Sequence, residues 1–92
     1  MSSLARMWYV YMVRCGDHSL YTGVSTDPQR RLQQHHAGRG SRYVVRKGAA
    51  SLVYLEACHN LSNALRRELE IKSWTRKEKL ALVRRHAMSN GR

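Results

Sequence analysis

The sequence predicts a small α+β domain, a three-stranded antiparallel sheet with flanking helices in the order β-β-α-β-α-α. Three observations carry this expectation. An aromatic and β-branched run, MWYVYMVR, and two shorter apolar runs, LYTGVS and SLVYLEA, have strand character. Asp27-Pro28 sets an N-cap residue before proline at the first helical position. Two later stretches, each preceded by capping residues, space their apolar side chains as helices do.

Taken in order, residues 7–14 read as a buried strand whose alternation puts Tyr9, Tyr11 and Val13 on one face. Cys15-Gly-Asp-His-Ser is a turn cluster and residues 20–25 form the second strand, so the pair is a hairpin. A turn centred near Asp17 pairs Val13 with Tyr21 and Tyr11 with Gly23. Both phenols then share a face, beside a glycine that leaves space above the backbone. An aromatic cross-strand cluster in the core accounts for them equally well. The helix capped by Asp27 runs to about His36, and Arg31 and His35, four apart, project from one side of it. A solvated helix face is the simpler explanation for that pair. Residues 38–48, GRGSRYVVRKG, read as a basic, glycine-punctuated loop, followed by the third strand at 51–57. Ser62 or Asn60 caps a helix over about 63–74, and Thr75 starts another that runs to about His86.

Composition limits the partners. With 92 residues, 42% of them hydrophobic, the chain is expected to form a single domain with its core at about 7–85, not a disordered basic tail. No apolar run approaches the roughly 18 residues that cross a bilayer, and Met1-Ser-Ser-Leu-Ala-Arg is too short and polar for a signal peptide, so a cytoplasmic location is expected. Cys15 and Cys58 have no metal-ligand spacing and read as buried thiols. Seventeen Lys and Arg against six Asp and Glu give a net charge of +11, and thirteen of the seventeen are arginine. Such an excess attracts polyanions, and arginine grips phosphate oxygens in pairs. The basic residues are spread along the chain instead of lining one amphipathic helix, which favours nucleic acid over a membrane surface.

One carboxylate stands out. Counting about 100° per residue from Leu61, Leu65 falls near 40°, Leu69 near 80°, Ala64 near −60° and Ile71 near −80°. Glu68 lies near −20°, in the middle of this expected apolar arc, whereas Glu70 lies near 180°. A buried carboxylate is costly unless paired or bound to a cation. Lys72, one turn on, offers a plain salt bridge; a magnesium ion, which takes hard oxygen ligands, offers the alternative. Glu56 on the third strand is the reserve candidate.

The hairpin Tyr9-Val10-Tyr11 … Tyr21-Thr22-Gly23, with Tyr11 and Tyr21 ten positions apart, resembles the paired tripeptides of the GIY-YIG nucleases. Arg31, His35 and Glu68 follow in order, and the GRGSRY loop and the closing IKSWTRKEKLALV are similar to the small stand-alone bacterial members. The resemblance covers roughly residues 7–85. It departs from the family pattern at Tyr9 for glycine and at Thr22 for isoleucine, and the only asparagine after Glu68 is Asn90. It implies a phosphodiester hydrolase with one divalent metal. Glu68 would hold Mg²⁺ or Mn²⁺, and Arg31 would clamp the scissile phosphate. Tyr11 or Tyr21, its phenol pKa lowered by metal and arginine, would activate water, with His35 positioning the second tyrosine or relaying a proton. A non-catalytic RNA- or DNA-binding protein is the main alternative. Arg39, Arg42, Arg46 and Lys47, with Tyr43 among them, make a basic strip suited to unpaired nucleotides, each stacked base being worth roughly 1–3 kcal/mol. Tyr43 packed beneath the loop is equally compatible with the sequence. Lys72 is a further expected nucleic-acid contact, and single-stranded DNA is the expected substrate.

Overall fold

A computed structural model of the chain describes residues 7–38 and 48–90. Its elements are β1 (Trp8–Cys15), β2 (Leu20–Ser25), α1 (Pro28–His36), β3 (Ala49–Cys58), α2 (Leu61–Lys72) and α3 (Arg76–Asn90). The strands form an antiparallel sheet in the order β2-β1-β3, the α+β arrangement that the sequence predicts.

The β1–β2 turn sets the register on which the site depends. The Cys15 N–H donates to the Ser19 carbonyl at 2.8 Å, and the Asp17 carboxylate accepts from the Ser19 N–H at 3.1 Å and from its hydroxyl at 2.6 Å. His18 takes the left-handed conformation, φ 71°, which histidine enters more readily than most residues. The outcome is Tyr11 opposite Gly23 and Val13 opposite Tyr21, as the spacing predicts. A slip of one residue would have turned every side chain of β2 to the other face.

The sheet separates two layers. Val10 and Met12 face Tyr54, Cys58, Ala64, Ile71, Leu82 and Val83, so α2 and α3 close the main core on that side. Cys15 and Cys58 are both buried and form no disulfide. Helix α1 begins where the Asp27 carboxylate accepts from the Arg30 N–H at 3.2 Å, and Ser25 Oγ fixes Asp27 by accepting its N–H at 2.9 Å. Asn60, not Ser62, caps α2, accepting the Asn63 N–H at 2.8 Å, so the helix begins and ends earlier than the expected 63–74. Thr75 and Glu78 form a reciprocal box at the start of α3, which continues four residues past His86. β3 likewise begins two residues before Ser51, and its pairing with β1 is irregular at Met12/Val13 and Arg14/Cys15.

The apolar arc expected on α2 is corrected. Leu65 is 43% exposed and Leu69 68%, while Ala64 and Ile71 are fully buried. The packed stripe is Ala64, Arg67, Glu68 and Ile71, the i, i+3, i+4, i+7 set. Arg67 belongs to it because its charge is satisfied by Glu56 on β3 and by Glu70 one turn on. Nε donates to Glu56 at 3.0 Å, Nη1 donates to Glu70 at 2.8 Å, and the guanidinium lies 5.2 Å from the Trp74 ring centroid. Burial works against that charge, but the bonds to Glu70 and Glu56 prevail and strengthen its hold on the proton. Glu56 also accepts from the Tyr54 hydroxyl, whose pKa is pushed up to about 12 by burial and then by this bond. The reserve carboxylate is thus committed to a structural cluster.

Candidate active site

Tyr11 lies at the centre of the hairpin, 1% exposed, with its ring laid across Gly23. A Cβ on Gly23 would stand 2.6 Å from the Tyr11 hydroxyl and 2.7 Å from Cζ. Only a residue without a side chain lets the phenol pass over β2, the edge strand of the sheet. Tyr21 sits on the same face, its ring centroid 6.4 Å from that of Tyr11 and tilted by 50°. Arg31 comes from the inward side of α1, beside the Tyr11 phenol, and its Nη1 donates to Gln34 Oε1 at 2.8 Å. Gln34, which sequence reasoning passed over, restrains the guanidinium from one turn along the helix.

Glu68 approaches from α2. Its side chain is 16% exposed, and Lys72 Nζ stands 3.2 Å from Oε2, so the salt bridge open to the sequence is formed. The carboxylate is still close enough for its charge to act on Tyr11. Burial raises the Tyr11 pKa above the ordinary phenol value; Arg31 pulls it down, while Tyr21 and Glu68 push it further up. The expected depression by arginine is therefore present but outweighed. Proton loss at neutral pH needs positive charge beyond Arg31.

The structure thus brings Tyr11, Tyr21, Arg31 and Glu68 into one electrostatic neighbourhood spanning the β2 edge. His35 lies on the last turn of α1, but its side chain is outside the described residues, as are Arg39, Arg42, Tyr43, Arg46 and Lys47. Asn90 ends α3, its side chain likewise outside the described set. Lys72 is half-exposed and engaged with Glu68.

Among the described residues no group of three or more His, Cys, Asp or Glu converges, which leaves no preformed cage of the zinc or calcium kind. Glu68 offers one largely buried carboxylate that already holds a cation, the Lys72 ammonium. That donor set fits a strongly hydrated ion such as Mg²⁺ or Mn²⁺, which keeps most of its waters and takes one or two carboxylates plus substrate phosphate.

Comparison with known proteins agrees with this architecture. A profile of the GIY-YIG catalytic domain matches residues 7–81. A UPF0213 protein of Haloquadratum walsbyi is 49% identical over 75 residues, covering 82% of this chain and 84% of the relative. One from Staphylococcus haemolyticus is 44% identical over 75 residues, covering 82% and 92%. The solution NMR structure of a UPF0213 protein from Bacillus halodurans superposes with a TM-score of 0.54 at 39% identity, covering 84% of this chain and 82% of that one. Fold and match together define a protein built on a nuclease fold. The chain belongs to the GIY-YIG family.

Proposed function

We propose that this protein is a divalent-metal-dependent endonuclease that hydrolyses DNA phosphodiester bonds, with single-stranded DNA as its preferred substrate. The observation that carries the reading is the Tyr11 phenol laid over Gly23, with Arg31 beside it and the Glu68 carboxylate within electrostatic reach. Glu68 would hold Mg²⁺ or Mn²⁺, which when bound neutralises charge on the leaving oxygen. Arg31 clamps the scissile phosphate and stabilises the negative charge that grows on it. Tyr11 or Tyr21 takes the proton of the attacking water, and His35 positions the second phenol or passes the proton on. The basic residues Arg39, Arg42, Arg46 and Lys47 with Tyr43 hold unpaired nucleotides.

Arg31→Lys keeps the charge but loses the planar fork. Cleavage is expected to fall by about 10²-fold, the scale of losing one preorganised donor, while the salt dependence of binding barely moves. Single-turnover rates beside a salt titration check this. Wild-type speed in Arg31→Lys would make it an ordinary surface charge.

The formed Lys72–Glu68 pair favours a second reading, in which Glu68 only tethers a phosphate-binding lysine of a non-catalytic nucleic-acid-binding protein. The two readings part on metal affinity. If Glu68 is a metal ligand, Lys72→Gln removes a competing cation. A part-exposed pair is worth up to about 1 kcal/mol, so Mn²⁺ should bind about two- to fivefold tighter by electron paramagnetic resonance. No Mn²⁺ binding by either form would leave the second reading standing. The substrate is tested by presenting one sequence as single strand, duplex and fork. Fastest cutting of the single strand is expected, and faster cutting of plain duplex would reject that preference.

A further inference from the structure

Next to the candidate site, a groove of about 300 Å³ is lined by Tyr21 and Lys72 of the site together with Leu20, Thr22 and Lys79, which have no role assigned so far. It is shared with the site at two points, since Tyr21 faces Tyr11 and Lys72 contacts Glu68. Lys72 ends α2 and Lys79 lies on the first turn of α3, so two helices deliver ammonium groups to the same stretch of the β2 edge. Lys79 is half-buried and has no carboxylate partner among the described residues. Thr22 is only 4% exposed, and its hydroxyl has no hydrogen-bond partner among them. Two cations and an unsatisfied buried hydroxyl lining one groove favour a small, dense anion able to accept hydrogen bonds. A phosphodiester group has that chemistry, and the groove's volume, at the small end of ligand sites, suits about one nucleotide.

We infer that this groove is the subsite for the phosphate next to the scissile one, on a DNA strand that crosses the β2 edge. The inference rests on the endonuclease reading and deepens it. Lys79 is the direct phosphate contact. Lys72 exchanges Glu68 for the same phosphate when the strand is seated, which releases the carboxylate at the moment a hydrated cation is needed there. Docking of the neighbouring phosphate and readiness of Glu68 are thereby one event.

The test uses the intact protein and a fluorescein-labelled single-stranded oligonucleotide, with affinity read by anisotropy in EDTA over a range of salt. Lys77→Gln is the control, because Lys77 is exposed and about 200° around the same helix from Lys79. Lys79→Gln is expected to weaken binding about three- to tenfold and to lower the logarithmic salt slope by about 0.7, the share of one single-strand phosphate. Lys77→Gln should change affinity less than about twofold, and Lys79→Arg should keep wild-type affinity. Replacing one linkage at a time by an uncharged methylphosphonate should abolish the Lys79→Gln deficit at a single linkage, adjacent to the mapped cut. Equal losses in Lys79→Gln and Lys77→Gln, with the wild type still cutting, would overturn the subsite alone, as would a deficit that survives every neutralised linkage. A wild type that binds but never cuts would overturn the endonuclease reading, and this inference with it.

Discussion

Gly23→Ala is expected to slow cleavage by about a hundredfold in a protein that still folds, because the cost falls on the position of one phenol. The added methyl would lie 2.6 Å from the Tyr11 hydroxyl and 2.7 Å from Cζ, closer than carbon atoms approach. Tyr11 is 1% exposed and ringed by the core of the hairpin, so the phenol has no solvent to retreat into and the ring must shift bodily. A displacement near 1 Å in a reacting group costs on the order of 10²-fold in rate, while overpacking of this kind destabilises by about 1–3 kcal/mol. Rate and thermal unfolding, measured on the same preparation, separate the two effects. In a Tyr11→Phe background the alanine should add little further loss, since the hydroxyl it displaces is already gone. Full activity in Gly23→Ala would remove Tyr11 from the chemistry.

Glu68→Gln is expected to abolish metal-dependent cutting, a loss of at least about 10²-fold, while leaving nucleic-acid affinity intact or slightly raised. The amide keeps the shape of the side chain but loses the charge that a divalent ion requires. It also releases Lys72 from its 3.2 Å partner, which adds a mobile cation to the surface. Glu70→Gln is the matched control on the same helix, its carboxylate paired with Arg67 in the structural cluster. Cleavage rates and anisotropy on the same oligonucleotide measure both consequences. Loss of activity in Glu70→Gln, with Glu68→Gln still active, would reverse the assignment.

How far the sequence reaches depends on which forces act locally. The hairpin register was legible because the turn chemistry of Asp17 and Ser19 and the strict two-residue alternation admit few alternatives. Helix α1 was legible for a similar reason, with Asp27-Pro28 marking its start, but its residues alone favoured a solvated face for Arg31, which the structure half-buries beside Tyr11. The face of α2 was not. Hydropathy counts Leu65 and Leu69 as inward and Arg67 as outward, yet Glu56 on β3 and the Trp74 ring hold Arg67 against the fold, with the exposed Glu70 of its own helix as a third partner. Glu68 keeps its predicted orientation at the margin of the packed stripe, not at its centre. The raised pKa of Tyr11 was equally hidden, since it comes from burial that only the assembled layers create. Lys79 gave no signal at all, because the groove it lines is completed by residues of β2 and of another helix.

The proposed site, in which Glu68 would hold a divalent cation and Tyr11 or Tyr21 would serve as the base, is read as cutting DNA internally. It is tested most directly by incubating purified protein with an end-labelled single-stranded oligonucleotide in Mg²⁺, Mn²⁺ or EDTA, beside Glu68→Gln purified in parallel. Internal fragments are expected from the wild type with either metal, none in EDTA, and none from Glu68→Gln under any condition. Identical fragments in EDTA or from Glu68→Gln, or no internal fragment with either metal, would contradict it.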